Sequence, residues 1–370
     1  MLFRRRWAGW CGIIIFQKFL RQMGHTVRIF TASEIHNTNI NMIRDSSLYK
    51  EQEMDGVPYT FLKTRDYSGN GLSRIYNMLE FPLRIQQAVK KVCQKAGQRP
   101  ECHLHLGAHH LCGSFRSGGS APFKGTLRGR SARHLAGVDC GIQGDVPQKP
   151  HHSGFVSTGK IGCTKRADRL IFTMEGGKDY IREKHWEDKV PLEKIYNLNN
   201  GVDLQEFDQN CQQYRLDDPD LLDESTFKVV YTGSIRLVNN LGKIVEMAEY
   251  LQKQEENKIK FLLYGDGTER EQLMQLCKQK GLTNIRFPGK VEKKYIPFIL
   301  SRSDLNINHV KQTGIMRFGC SLNKQFDYFA SGKPVLSDLT VNYDLIERYG
   351  AGVTLPTQDT EEMCRQVLRF

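Results

Sequence analysis

The residues best suited to chemistry stand together in the second half of the chain. Ser321 and Asn323 precede a helical pattern that begins at Lys324, and Asp327 follows one turn later. The amino terminus of a helix has unsatisfied amides and a positive dipole end, so it attracts phosphate groups, and a lysine adds a full charge. We expect Ser321 to cap this helix and Asp327 to accept hydrogen bonds from ribose hydroxyls. The alternative for Asp327 is a solvated helix residue.

A second candidate group follows the first predicted strand of this half. Gly233 and Ser234 form a turn there, and Arg236 comes two residues later, where it is either a phosphate ligand or a surface arginine. The segment 265–267 is Gly-Asp-Gly after the next strand, but Arg270 stands where a dinucleotide fingerprint needs its third glycine. We interpret 265–267 as a tight turn at a nucleotide crevice.

Predicted strands and helices alternate around these turns with lengths typical of a parallel sheet covered on both faces. Predicted strands are 227–231, 259–264, 284–287, 305–308, 334–336 and 352–355. Predicted helices are 241–251, a segment ending at 281, 295–300, 324–330 and 343–348. The second half is therefore predicted to be an α/β, Rossmann-like domain.

The first half shows a weaker version of the same pattern. Its predicted elements are helices at 16–23 and 72–92 and strands at 26–31, 57–63, 169–172 and 194–196. Residues 101–164 match neither a helical nor a strand period, and they hold 12 of the 33 glycines and seven of the 11 histidines. A structureless stretch of that length is unusual in a compact domain, so we expect it to be irregular.

Composition excludes several classes of protein. The 370 residues are 39% hydrophobic, which excludes a disordered chain, and no apolar run is long enough for a membrane span. The net charge is +12, but seven of these charges come from 4–6 and 101–164, so the rest is ordinary and we expect no nucleic-acid partner. The basic start lacks a signal cleavage pattern, and ten irregularly spaced cysteines indicate reduced thiols, so we expect a cytoplasmic protein.

Three stretches carry a resemblance to a known family: Asn200–Asp203 with Phe207, Tyr231–Ser234, and the long run Gly319–Val335. All three resemble features of family 4 (group 1) glycosyltransferases. The first resembles the interdomain "NGVD...F" motif, and the second resembles the glycine turn that opens the donor domain. The third resembles the "GxSxNKxFDYxASGKPV" signature. The last signature is similar to that of members that build bacterial surface polysaccharides of the colanic acid and O-antigen type. The resemblance covers 166–370 well and 20–95 more loosely.

The resemblance implies an α/β fold of the GT-B class with two Rossmann-like domains, the first one incomplete or disrupted. Residues 1–195 are then the acceptor-side domain and 196–370 the donor-binding domain, which is expected to be truncated because Phe370 falls inside a predicted helix. The implied enzyme is a retaining glycosyltransferase that moves a sugar from a nucleotide-sugar donor to a lipid-linked or saccharide acceptor. Contact with the inner face of the plasma membrane would follow from a lipid-linked acceptor.

The same resemblance implies roles for individual residues, with no metal, no cofactor and no catalytic base assigned. Asp327 takes the place of the second Glu of a Glu-x7-Glu motif, and Gly319 stands where the first Glu would be. Gly319 and Cys320 then offer backbone amides. The implied donor-binding residues are Gly233, Ser234, Arg236, Gly319, Cys320, Ser321, Asn323, Lys324 and Asp327.

Residues 102–112 leave two interpretations open. Their four histidines and two cysteines could bind zinc, although the spacing matches no common zinc pattern. Alternatively, 6–17 and 101–164 are translated out of frame. One base downstream, the codons of 124–142 permit "KVPFVGEVRDIWPESIVEY", which contains the "RDxWPES" of the acceptor domain of these glycosyltransferases.

Two other functions compete with the transferase. One is a non-catalytic remnant that at most binds nucleotide, and the other is a sugar-nucleotide epimerase. An epimerase needs an acid and a base carboxylate, and this sequence offers no convincing pair.

Overall fold

The structure is a computed structural model that describes residues 11–34, 41–54, 56–65, 72–97, 102–107, 133–138 and 169–370. Contacts group the chain into two compact units. The C-terminal unit holds Asn199–Phe370 together with Met174–Gly176 and residues 11–16, and the N-terminal unit holds residues 17–173 and Gly177–Leu198. Each unit is built around parallel strands.

The described residues of the N-terminal unit form two sheets. One has the order β1-β3-β2, in which β1 pairs parallel and β2 antiparallel with β3, and the other is the parallel sheet β4-β5-β6-β7. The strands are β1 Ile29–Ala32, β2 Tyr49–Met54, β3 Val57–Leu62, β4 Cys102–Gly107, β5 Arg133–Val138, β6 Arg169–Phe172 and β7 Ile195–Asn197. The α-helices in the described parts of residues 11–198 are α1 Cys11–Gln22, α2 Leu72–Ala96 and α3 Gly177–Glu183.

One expectation for this half is wrong, and one strand was not predicted. Residues 101–164 are not irregular throughout, since β4 and β5 lie within them and pair with each other and with β6. The strand β2 was not predicted because Tyr49–Met54 is rich in charged residues, which are typical of an edge strand exposed to water. Sheet pairing therefore overrides the local pattern in all three strands.

The C-terminal unit contains a six-stranded parallel sheet with the order β10-β9-β8-β11-β12-β13. Its strands are β8 Phe227–Thr232, β9 Ile259–Tyr264, β10 Ile285–Gly289, β11 Leu305–Asn308, β12 Val335–Ser337 and β13 Gly352–Thr354. Its helices from residue 199 onward are α4 Leu204–Gln213, α5 Pro219–Leu222, α6 Gly242–Lys253, α7 Arg270–Gln279, α8 Ile296–Ser301, α9 Asn323–Ala330, α10 Leu345–Arg348 and α11 Thr360–Val367. The predicted strands of this half agree within two residues, and α11 ends at Val367, so Phe370 does not lie inside a helix.

Helices cover both faces of this sheet. Val229 and Tyr231 of β8 belong to a buried cluster that includes α6, α7 and α11. Val230, which points to the other face, packs in a cluster with α4, α8 and α9. The "NGVD...F" motif is part of this second layer, because Asp203 caps α4 and Phe207 is buried in the cluster.

The strand order creates one crevice at the carboxyl edge of the sheet. The chain passes from β8 outward to β9 and β10, and then returns to place β11, β12 and β13 on the other side of β8. The loops that follow β8 and β11 consequently run in opposite directions and leave a gap between them. Such a switch point is where open α/β sheets bind their ligands. None of the helices in the described ranges combines the length and apolar character of a membrane span.

Candidate functional site

The glycine turns after β8 and β9 lie backbone against backbone. Gly233 and Gly265 have φ angles of 154° and 155°, and a Cβ added to Gly265 would lie 1.7 Å from the Gly233 carbonyl oxygen. A Cβ on Gly267 would lie 2.2 Å from the Ile235 carbonyl oxygen, and the Ile235 amide donates to the Asp266 carbonyl at 3.0 Å. The predicted tight turn at 265–267 is therefore present, and glycine is needed there because of close backbone approach.

Ser234 and Arg236 lie on the exposed rim of this turn. The Tyr231 hydroxyl donates to the Ser234 carbonyl at 2.9 Å, and the Ser234 hydroxyl donates to the Asn239 side-chain oxygen at 2.9 Å. The Arg236 side chain is exposed, and its guanidinium makes no hydrogen bond or ion pair with any residue that the structure describes, while its main-chain carbonyl accepts the Asn239 amide at 2.8 Å. Its guanidinium is thus available to an anion at the switch point.

Ser321 does not cap the following helix, so that prediction is wrong. The residue before α9 is Leu322, and no side chain caps the helix. The Ser321 hydroxyl instead accepts the Asn200 backbone amide at 3.0 Å, while the Asn200 side-chain amide donates to the Ser321 carbonyl at 2.7 Å. Because the cap is missing, the main-chain amides of Asn323 and Lys324 keep no hydrogen-bond acceptor within the described part of the chain.

Lys324 lies at the switch point itself. Its ammonium donates to the carbonyl of His309, the residue after β11, at 3.0 Å and stands 4.3 Å from the ring centroid of Tyr231 in β8. Burial lowers the pKa of Lys324 to about 7, while the Cys320 thiol and Asp338 act in the opposite direction. A partly desolvated cation between β8 and β11 is a strong attractor for a phosphate group.

Asp327 occupies the next turn of α9. Its carboxylate is partly buried and makes no hydrogen bond with the described residues, and burial raises its pKa although Lys293 opposes this. The neighbouring Tyr328 is fully buried, and its hydroxyl accepts the Thr232 amide at 3.0 Å. This contact fixes α9 to the end of β8, so Asp327 is held on a rigid element with its acceptor atoms unused.

Gly319 and Cys320 differ in what they can offer. Gly319 is buried with a φ of 102°, and its amide already donates to the Met316 carbonyl at 2.9 Å, so the expectation that this amide is available is wrong. Burial raises the pKa of the Cys320 thiol to about 11, which keeps it neutral, and its amide makes no hydrogen bond with the described acceptors. No side chain therefore stands at the position of the first Glu of the motif.

The structure brings most of the predicted residues to one edge of the C-terminal sheet. Sequence reasoning missed Tyr231, His309, Asp338 and the contact of Asn200 with Ser321. The available signal was positional, since His309 and Asp338 each follow a buried strand directly. His109, His110 and Cys112 of the zinc interpretation lie outside the described residues.

Comparison with known proteins relates the C-terminal half of the chain to one family. Residues 215–369 match the family model described as glycosyl transferases group 1. No curated protein sequence matches the chain. Residues 215–369 are thus similar to a group 1 glycosyltransferase domain, which supports the prediction of a transferase by family.

Solved structures share the fold. An E. coli structure described as trehalose-6-phosphate bound with UDP-2-fluoro glucose aligns over 97% of this chain and 87% of its own, with 10% identity and a TM-score of 0.66. Sucrose-phosphate synthase from Thermosynechococcus elongatus aligns over 96% and 83%, with 15% identity and a TM-score of 0.62. WaaG, a glycosyltransferase of lipopolysaccharide biosynthesis, aligns over 97% and 85%, with 12% identity and a TM-score of 0.62.

Coverage is smaller in other alignments. The chain spans 62% of Anabaena Alr3699/HepE in its UDP complex and 43% of a S. aureus TarM mutant, with TM-scores of 0.47 and 0.45. At the identities of 10–15% in the three longer alignments, the likeness shows the fold alone. The predicted α/β fold of the GT-B class is confirmed.

Proposed function

Starting from the similarity of residues 215–369 to a group 1 glycosyltransferase domain, we propose that this chain is a retaining glycosyltransferase. It moves a sugar from a nucleotide-sugar donor to a lipid-linked or saccharide hydroxyl in the synthesis of a cell-surface polysaccharide. The observation that carries the proposal is the position of Lys324 at the switch point, beside the uncapped start of α9. The family 4 and surface-polysaccharide assignments rest on the resemblance of Gly319–Val335.

The donor pyrophosphate would meet three sources of positive potential. Lys324 supplies a partly buried ammonium, Arg236 supplies an exposed guanidinium, and the start of α9 supplies the amides of Asn323 and Lys324. In this proposal, these groups stabilise the negative charge of the phosphates, and a metal ion does not. Within the described ranges, no group of three or more His, Cys, Asp or Glu residues is placed to hold a metal ion.

In the transfer step, negative charge develops on the departing nucleoside diphosphate. The bond between the anomeric carbon and the β-phosphate oxygen breaks, and the acceptor oxygen bonds to the same face of that carbon. The acceptor proton passes to the departing phosphate, and the negative charge of the nucleoside diphosphate is stabilised by Lys324 and Arg236. Asp327 would hold the ribose hydroxyls. Front-face attack of this kind gives retention without a protein nucleophile.

Donor binding is expected to depend on pH through Lys324. Free protein carries the ammonium below its pKa of about 7 and loses it above. A bound pyrophosphate favours the ammonium and raises that pKa, so affinity is full at lower pH and falls by up to about tenfold per pH unit above 7. Calorimetry with UDP-glucose at pH 6 to 8.5 measures this, because its diphosphate lacks the terminal group that titrates near 6. Lys324→Met should flatten the curve, and an unchanged slope would contradict the assignment.

Turnover of a donor tests the function itself. Incubating the full chain with nucleotide sugars and saccharide acceptors should release nucleoside diphosphate at the same rate with and without EDTA, and NMR should show a glycoside with the donor's anomeric configuration. An inverted product would exclude retention, and an epimerised sugar nucleotide would point to the epimerase alternative. Binding without any turnover would favour the non-catalytic remnant, an alternative consistent with the missing side chain at Gly319.

The disrupted state of the first domain is part of the proposal. Residues 6–17 and 101–164 would be translated out of frame, and most of them lie outside the described residues, which here include only 11–17, β4 and β5. The coding DNA decides this point. Its codons at Leu135–Ile142, read one base downstream, should spell a sequence close to "WPESIVEY". If they do not, 101–164 is a genuine insertion.

The last part of the proposed function is peripheral contact with the inner face of the plasma membrane. It is motivated by the expected lipid-linked acceptor and by the net charge of +12, although seven of these charges lie in 4–6 and 101–164. Flotation of the frame-corrected protein with anionic liposomes at low salt is the test. Protein that stays in the non-floating fraction would rule out the contact.

A further inference from the structure

A fully buried pair of ionisable side chains lies directly beneath the candidate site. His309 follows β11 and Asp338 follows β12, and these two strands are hydrogen-bonded neighbours. The His309 Nδ1 atom is 2.6 Å from the Asp338 Oδ2 atom, and both side chains have no exposed surface. We call His309 and Asp338 the buried pair.

The contacts of the imidazole define how many protons the buried pair holds. On its other side, the His309 Nε2 atom is 3.0 Å from the carbonyl oxygen of Asn240. A carbonyl and a carboxylate are both acceptors, whereas a neutral imidazole can donate only one hydrogen bond. Both contacts form together when two protons are present, one between His309 and Asp338 and one between His309 and the Asn240 carbonyl. The buried pair then has no net charge.

Through these contacts the buried pair connects the loops that follow β8, β11 and β12. Asn240 ends the turn that follows β8 and has a φ of 50°, a left-handed conformation that needs support from its surroundings. The carbonyl of His309 accepts the Lys324 ammonium at 3.0 Å. One residue therefore ties the loop 233–240 and the site lysine to the ends of β11 and β12.

Stability alone is a weak reason for this arrangement. A fully buried ion pair loses most of its Coulombic gain to desolvation. In addition, the second carboxylate oxygen of Asp338 has no hydrogen-bond partner among the described residues, which adds a further cost. The buried pair therefore contributes little to stability but fixes three loops at the switch point. This combination indicates that it holds the residues of the site in position.

We propose that the buried pair positions the donor site: it holds Lys324 and the loop 233–240 in the arrangement that receives a nucleoside diphosphate sugar. The proposal rests on the function proposed above. His309 and Asp338 are positioning residues, since they act through Lys324 and Asn240 and do not themselves meet the donor.

Two substitutions in the buried pair distinguish its effect on the position of the site residues from its effect on the charge near Lys324. Lys324 faces the Cys320 thiol, the Tyr231 ring, and the buried pair. His309→Ala removes the imidazole and leaves the Asp338 carboxylate without this partner, which favours the Lys324 ammonium and moves the fall in affinity to higher pH. Asp338→Asn keeps both hydrogen bonds, because a neutral imidazole donates to Asn240 and accepts from the introduced amide. The net charge stays at zero, so this variant should not move the pH curve.

The experiment compares three full-length variants with the unaltered chain by calorimetry with UDP-glucose. His309→Ala should weaken binding at pH 6.5 by about tenfold or more, and Asp338→Asn by about threefold at most. The matched control is Asp304→Ala, which cuts a 3.1 Å ion pair with Lys228 at the opposite ends of β8 and β11. It should change affinity by less than about twofold.

Hydrogen exchange of the ligand-free proteins provides a readout that needs no donor. Amides of 233–240 should exchange faster in His309→Ala than in Asp304→Ala. Equal exchange in this loop, or an equal loss of affinity in both variants, would overturn the positioning role. If the unaltered chain does not bind UDP-glucose, the proposed function fails, and the exchange rates alone then decide the positioning role.

Discussion

Replacing Lys324 with methionine is expected to weaken binding of UDP-glucose at pH 6.5 by about tenfold to one hundredfold. The ammonium is the partly buried cation at the switch point, where it meets the His309 carbonyl and the Tyr231 ring. Charge-assisted hydrogen bonds in partly desolvated sites contribute about 1.5 to 3 kcal/mol, which corresponds to this range. Methionine keeps the length and the apolar contacts of the side chain, so the loss reports the charge.

Lys333→Met is the matched control for this prediction. Lys333 belongs to the same signature but follows the carboxyl end of α9 at the turn leading to β12, so it lies away from the uncapped helix start. The variant removes the same charge from the chain and should change affinity by less than about twofold. Equal losses in the two variants would show that general charge attraction, rather than Lys324 itself, holds the donor.

Replacing Gly265 with alanine is expected to destabilise the C-terminal sheet by about 3 kcal/mol or more. The added Cβ would lie 1.7 Å from the Gly233 carbonyl oxygen, and neither backbone can move without breaking the bond between the Gly233 amide and the Tyr264 carbonyl. The φ of 155° adds strain for a residue with a side chain. Hydrogen exchange of peptides from β8 and β9 measures the effect where it arises.

Gly281→Ala separates the clash from the backbone strain. Gly281 also has a positive φ, 64°, but a Cβ there would meet no atom within 4 Å. We expect a loss of about 1 kcal/mol in this variant. A loss at Gly265 no larger than at Gly281 would mean that the two glycine turns do not depend on close backbone approach.

The sequence predicts the C-terminal sheet well because its strands are short apolar runs between turn residues. The 259–264 and 305–308 predictions match β9 and β11 at both ends. These strands are buried on both faces, so their local pattern and their tertiary environment agree. The same reasoning fails for β4 and β5, whose residues lack a strand pattern and are held by pairing with neighbours far away in the chain.

The candidate site shows the same limit at the level of single residues. A serine before a helix usually caps it, and this rule predicts a role for Ser321 that the structure does not show. Asn200, 121 residues earlier, occupies the hydroxyl instead. The contact of His309 with Asp338 and Asn240 likewise joins residues from separate loops. Local rules therefore find Lys324 and the glycine turn, whereas the residues that hold them require the fold.

Hydrogen exchange of the full chain with and without UDP, in the presence of EDTA, shows whether the switch point between β8 and β11 binds a nucleoside diphosphate without a metal. We expect protection of amides in 233–240 and 320–327, because the glycine turn and the start of α9 would contact the phosphates. Protection confined to other segments, or protection that appears only after a divalent metal is added, would contradict this expectation.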